Sequence, residues 1–123
     1  MDKARHIEMV LDYAGPRIFV SLPMRGHTDD EIKARQIEIV ELLNSIDPKT
    51  HVLTYTLWRE PAPNPRNQLW YLGKSIQALG DSDFAIFACD WAKAKGCIVE
   101  RAICSVYGIP IIDEQDLFEY VNL

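Results

Sequence analysis

Cysteine is scarce in this chain and poorly placed for pairing. Cys89, Cys97 and Cys104 are odd in number and show no C-x-x-C spacing, so no disulfide framework is expected and the three read as reduced, half-buried thiols of a cytoplasmic protein. His6, His27 and His51 are scattered, which gives no metal site. Positive charge is in deficit. Thirteen Lys and Arg against eighteen Asp and Glu leave a net charge of -5, which argues against a nucleic-acid polymer as partner, since its backbone calls for a basic face. A free nucleotide needs only a local cationic spot and stays open. Long apolar runs are absent too: none approaches the ~20 residues that span a bilayer. Residues 1–15 mix charges throughout, without the apolar stretch of a signal peptide. Internal repeats and low-complexity segments are lacking.

What is present describes one soluble domain over 1–123, with residues 1–15 as an N-terminal helix or arm. The hydrophobic fraction of 48% and charged fraction of 25% are ordinary for a globular chain long enough for one substantial core. Ile18-Phe19-Val20-Ser21-Leu22, His51-Val52-Leu53-Thr54-Tyr55, Phe84-Ala85-Ile86-Phe87-Ala88 and Ile109-Pro110-Ile111-Ile112 are short apolar runs. They read as strands covered on both faces. Thr28-Asp29-Asp30-Glu31 is a capping box, and Ile32, Ile39, Leu43 and Ile46 behind it form a helical stripe. Pro61, Pro63 and Pro65 make 56–66 a long loop. A helix over 67–79 follows, then one opening at Gly96 and a last one from about Glu114 to Val121.

This order predicts a parallel α/β sheet with right-handed crossovers and helices on both faces. Strand order 2-1-3-4 places a switch point between the first and third strands, where ligands of such sheets bind. The Ser21–His27 and Cys89–Gly96 loops then flank one crevice. Glu100, in Gly96-Cys97-Ile98-Val99-Glu100, is expected at its floor in the first helical turn, kept ionised by the helix dipole. A carboxylate there suits an anionic nucleophile or a sugar-binding acceptor. Arg25, in a Gly-ended loop before the helix at Thr28–Glu31, has the chemistry and setting of a phosphate ligand. Trp91 is a candidate base-stacking platform, with Trp58 and Trp70 as rivals. An α/β domain of 123 residues with a long Pro-rich loop carrying Trp58 and Trp70 has apolar surface to cover, so a homo-oligomer, at least a dimer, is expected.

Ser21-Leu22-Pro23-Met24-Arg25-Gly26, Asp83 opening a strand, Asp90-Trp91, Gly96-x-x-x-Glu100 and Gly108-Ile109-Pro110 together resemble the nucleoside 2-deoxyribosyltransferase-like superfamily, in particular a small branch common in phages and bacteria. The likeness runs from about residue 17 to 112. It implies a flavodoxin-like (Rossmann-like) three-layer sandwich with a parallel sheet of four to five strands. It also implies cleavage of the N-glycosidic bond of a (deoxy)nucleoside or nucleotide, the sugar passing to another base or to water, with no cofactor. Glu100 takes the nucleophile's position. Ser21, Pro23, Met24, Arg25, Gly26, Asp90, Trp91, Lys95 and Gly96 are expected to bind substrate, and Asp83 to support the loops. Two positions depart from the pattern. Tyr71-Leu72-Gly73-Lys74-Ser75 lacks the aspartate that active members carry there, and Ala94 stands where they usually have Ser or Asp. The alternative expectation is a non-catalytic pocket for a nucleotide or nucleotide-derived signal on the same fold.

Overall fold

The computed structural model describes residues 2–48, 52–53 and 67–122. The chain runs α1 (Lys3–Tyr13), β1 (Arg17–Ser21), α2 (Asp29–Asn44), β2 (Val52–Leu53), α3 (Asn67–Gly80), β3 (Phe84–Phe87), a 3-10 turn (Trp91–Lys93), α4 (Lys95–Tyr107), β4 (Ile111–Asp113) and α5 (Glu114–Val121). All strand pairings are parallel, in the order β2-β1-β3-β4. Three strands of three to five residues carry the sheet and β2 adds two residues at one edge, so no fifth strand is seen among the described residues. The result is an α/β fold compatible with a Rossmann-like arrangement. The Pro-rich loop 56–66 and Trp58 lie outside the described residues.

Side-chain alternation along the strands sorts the core into two layers. Ile18, Val20, Phe84, Ile86 and Ile112 face one way and pack with Ile7, Val10 and Leu11 of α1, Ile32, Ile39, Val40 and Leu43 of α2, and Leu117 of α5. Ala85 and Phe87 face the other way and pack with Leu79 of α3 and Cys104 of α4, flanked by Phe19, Ile103 and Ile111. Helices therefore cover both faces, which is why the strands are apolar on both sides. Phe84 and Phe87 are essentially fully buried, and each such side chain is worth ~2–3 kcal/mol of apolar burial.

Local chemistry sets the helix ends. Asp2 caps α1 by accepting the Arg5 N–H at 2.8 Å. The capping box of α2 is complete: Thr28 Oγ1 accepts from Glu31 N at 3.2 Å and Glu31 Oε1 accepts from Thr28 N at 3.0 Å. α4 ends where Gly108 takes the left-handed conformation, φ 73°, with Ile109 N–H donating back to Cys104 O at 2.9 Å. That closure spends Ile109, so β4 begins at Ile111 and not at 109.

Candidate functional site

β1 and β3 are neighbours whose following crossovers diverge, β1 to β2 at one edge and β3 to β4 at the other. Their carboxyl ends form the switch point. Three residues stand in register across these ends: Ser21 pairs with Phe87, and Phe87 with Asp113. Matching register in a parallel sheet turns all three side chains to one face, the one covered by α3 and α4.

α4 meets this row with two consecutive residues. Glu100 receives a 2.8 Å hydrogen bond from Ser21 Oγ to Oε1, in the interior. The Ser75 hydroxyl on α3 also favours the charged form of Glu100. Arg101 makes a bidentate pair with Asp113, at 2.6 and 3.1 Å. Its guanidinium lies 4.4 Å from the centroid of Trp91 and 5.2 Å from that of Phe87. The two rings meet edge to face at 6.2 Å.

Glu100 differs from the sequence-based expectation in two ways. Helix α4 starts at Lys95 behind Ala94, which puts Glu100 in the second turn, and the dipole acts mainly on the first. The residue keeps only 6% of its surface exposed. Burial dominates and pushes its carboxyl up to about 7 from 4.5, against the Ser21 and Ser75 hydroxyls, which pull it down. The group is thus poised near neutrality, the range in which a carboxyl serves both as acid and as base. Cys97 and Cys104, on the same helix, have thiols pushed up to about 11, chiefly by burial, and are not activated nucleophiles.

The other expected substrate-binding residues fall into separate groups. Ser21 is 1% exposed and its hydroxyl is committed to Glu100 instead of a sugar or phosphate. Pro23 is half-buried, while Met24, Arg25 and Gly26 are exposed on the loop after β1. Gly26 has φ 85°, a left-handed turn that favours glycine. The nearby α2 N-terminus is poorly suited to phosphate: Asp29, Asp30 and Glu31 fill its first turn, and the capping box occupies the Thr28 and Glu31 N–H groups. Trp91 is half-buried. Part of its ring is covered by Arg101 and it packs on the Phe87 layer, so it is a less open platform than a rim residue. Trp70 lies edge to face with Tyr71 at 5.0 Å, with Lys74 over its ring. Lys95 is exposed at the first helical position and Gly96 is half-buried. Asp83 sits at the opposite, amino end of β3. Its Oδ2 accepts from Arg17 N at 2.8 Å and its own N–H donates to Arg17 O, a brace for the α1–β1 connection.

On the α2 side of the same strand ends lies a cavity of about 240 Å³, lined by Leu22, Pro23, His27, Glu31, Ile32, Arg35 and Asp90. Asp90 Oδ1 is buried there without a hydrogen-bond partner among the described residues. Arg35 is held by both carboxylate oxygens of Glu114, which also accepts the Cys89 N–H at 3.0 Å. Among the described residues no group of His, Cys, Asp and Glu is arranged to hold a metal ion. No described helix is long and apolar enough to cross a membrane.

Comparison of the chain with protein-family models, with characterised proteins and with solved structures gives no match. The site must therefore be judged on its own geometry. Sequence reasoning missed three of its parts: the Ser75 hydroxyl, the Arg101–Asp113 pair and the Arg35–Glu114 pair. None carries a local signature, since their partners lie on separate elements.

Proposed function

We propose that this protein cleaves, or exchanges the base at, the N-glycosidic bond of a small (deoxy)nucleoside or nucleotide, with Glu100 as nucleophile. The observation that carries this reading is the placement of Glu100: a buried carboxyl at the switch point between β1 and β3, fixed by the Ser21 hydroxyl and titrating near neutrality. Breaking a C–N glycosidic bond builds positive charge at C1′, and a carboxylate on the face opposite the base can capture it. A bond forms from the Glu100 oxygen to C1′ as the C1′–N bond breaks. Its electron pair leaves with the base, which takes a proton from water. Water or a second base then attacks C1′ and releases the carboxylate. The strand order β2-β1-β3-β4 is compatible with a flavodoxin-like sheet, in keeping with this reading.

The test is incubation with a panel of nucleosides and nucleotides, following free base by chromatography, for wild type and Glu100→Gln. Wild type should release base and the variant should not. Comparable release by both removes Glu100 from the chemistry. The second reading, a non-catalytic nucleotide pocket, draws on Ser75: α3 offers Glu100 a hydroxyl where an active site would gain from a second carboxyl. Thermal stabilisation by a nucleotide without base release would favour it. The proposal includes a homo-oligomer, whose mass by light scattering should exceed that of one chain. Ile98, Val99, Val106 and Tyr107 give α4 an exposed apolar face suited to such a contact.

A further inference from the structure

We propose that the cavity on the α2 side of the strand ends takes a planar group with two adjacent N–H donors, held on the Asp90 carboxylate, and that on a nucleoside this group is the amino-lactam edge of guanine. Naming guanine rests on the N-glycosidase reading, whereas the need for a donor pair rests on the cavity alone.

Asp90 follows β3 in a tight turn, with Trp91 N–H donating to Ala88 O at 3.0 Å and Lys93 N–H to Asp90 O at 3.1 Å. It is the N-cap of the 3-10 turn, a position where an aspartate ordinarily accepts from a first-turn N–H. Here the side chain makes no such bond. It lines the cavity instead. Its Oδ1 is shut off from water and has no hydrogen-bond partner among the described residues, which is costly until a donor arrives.

The rest of the wall narrows what that donor can be. Arg35 is held by both carboxylate oxygens of Glu114, and His27 Nδ1 lies 3.7 Å from Glu31 Oε2. Each basic lining residue already faces a carboxylate, so the wall does not suit an anion. Leu22 and Ile32 are core residues, each 5% exposed, and with Pro23 they give a fixed apolar surface for the face of a ring. The volume of about 240 Å³ exceeds the ~150 Å³ that accommodates one six-membered ring. It falls below the ~300 Å³ at which drug-sized pockets begin. A bicyclic base is the matching size. Among the common bases, guanine presents a ring N–H beside an exocyclic NH2, two parallel donors for the two oxygens of one carboxylate. Adenine and cytosine place a ring-nitrogen lone pair beside the NH2, and thymine and uracil flank their N–H with carbonyls. Each of those turns an acceptor toward Asp90.

The cavity and Glu100 flank one strand end. Ser21 hydrogen-bonds Glu100, and Leu22, the next residue, lines the cavity. A nucleoside lying across that end sets its base against Asp90 and its sugar toward Glu100.

The experiment is an amide NMR titration of the whole chain with deoxyguanosine, deoxyinosine, deoxyadenosine, thymidine and agmatine, repeated on Asp90→Asn once a thermal melt verifies folding. Where wild type turns a ligand over, Glu100→Gln supplies the binding curve. Deoxyguanosine should shift the Leu22, Ile32 and Asp90 amides. Deoxyinosine lacks only the 2-amino group and should bind about tenfold or more weakly, the loss expected for one hydrogen bond to a charged group. Asp90→Asn should erase this preference, because its own NH2 then faces the 2-amino group. Equal binding of deoxyguanosine and deoxyinosine by wild type overturns the proposal, and that comparison needs no variant. A preference retained in Asp90→Asn overturns it as well, as do shifts from agmatine with none from any nucleoside. Free base is followed in the same samples. Guanine-selective shifts without base release leave this proposal standing and sink the nucleophile reading. Base release that does not distinguish deoxyguanosine from deoxyinosine, and that Asp90→Asn does not change, does the reverse.

Discussion

Glu100 and Arg101 are adjacent on α4 yet dock on strands two places apart, Glu100 on Ser21 of β1 and Arg101 on Asp113 of β4, with Phe87 of β3 between them. One helical segment thereby ties three strand ends together. The Arg101–Asp113 pair is a quarter to a third exposed, so its charge attraction is partly screened. The fixed bidentate geometry and the cover over Trp91 add to it. Arg101→Met should lower stability by about 1–2 kcal/mol in denaturant melts. It should also change Trp91 fluorescence, because the cation leaves the ring. A melt and emission spectrum identical to wild type would show that the pair contributes nothing.

Glu100 makes stability depend on pH in a direction opposite to most carboxyls. Its folded-state value near 7 exceeds the ordinary 4.5. Between those pH values the folded chain holds more protons than the unfolded one, so this group's contribution falls as pH rises from about 4.5 to about 7 and is level above that. The full difference is on the order of 3 kcal/mol. Glu100→Gln keeps the shape and cannot ionise. Its carbonyl can still accept from Ser21. The variant should match wild type near pH 4 and be more stable near pH 8, by roughly 2–3 kcal/mol. Glu114, lowered by its Arg35 partner, contributes with the opposite sign, present at high pH and lost as pH falls. Both proteins carry it, so it cancels in the comparison. A Gln variant less stable than wild type at pH 8 would contradict the buried-carboxyl assignment.

Gly15 and Asp83 form a close contact that only glycine permits. A Cβ on Gly15 would stand 2.3 Å from Asp83 Oδ2 and 2.5 Å from its Cγ. The same carboxylate is pinned by the Arg17 N–H and cannot withdraw freely. Gly15→Ala should cost about 1–3 kcal/mol through overpacking. Asp83→Ala alone should cost about 1 kcal/mol for the lost hydrogen bond. Because both act at one contact, the double variant should be less destabilised than the sum. Strict additivity in equilibrium unfolding would refute the contact.

Elements with a local cause were readable from the chain. The Phe84–Phe87 run became the fully buried β3, and the Thr28–Glu31 box caps α2. The crossover order followed from apolar runs alternating with helical stripes. Boundaries set by backbone geometry were harder. β4 starts late because Gly108 and Ile109 are used in closing α4 and Pro110 contributes only its carbonyl, which accepts from Ala85 N at 3.0 Å. The depth of Glu100 was not readable at all, because it depends on which residue of another strand faces it. Arg35 and Glu114 are 79 positions apart, and nothing near either in sequence announces the other.

Ala94 offers a last test, since it occupies a position made for a polar side chain. It is the N-cap of α4, with extended backbone at φ -121° and ψ 129°, and no side-chain hydrogen bond is made there. A serine in that conformation can accept from an N–H of the first turn, which Ala cannot. The backbone already has the required shape, so the substitution brings no rearrangement cost. Ala94→Ser should raise stability by about 0.5–1 kcal/mol, or roughly 2–5 °C in Tm for a domain of this size. Ala94→Gly, which opens these N–H groups to water without supplying an acceptor, should give most of this gain and fall short of the serine by a few tenths of a kcal/mol. The serine variant also stiffens the helix that carries Glu100. On the N-glycosidase reading, base release should be kept or increased, with the pH midpoint unchanged, because Ala94 does not touch the carboxyl. A Ser variant no more stable than wild type would mean that the first-turn N–H groups of α4 are already satisfied in solution.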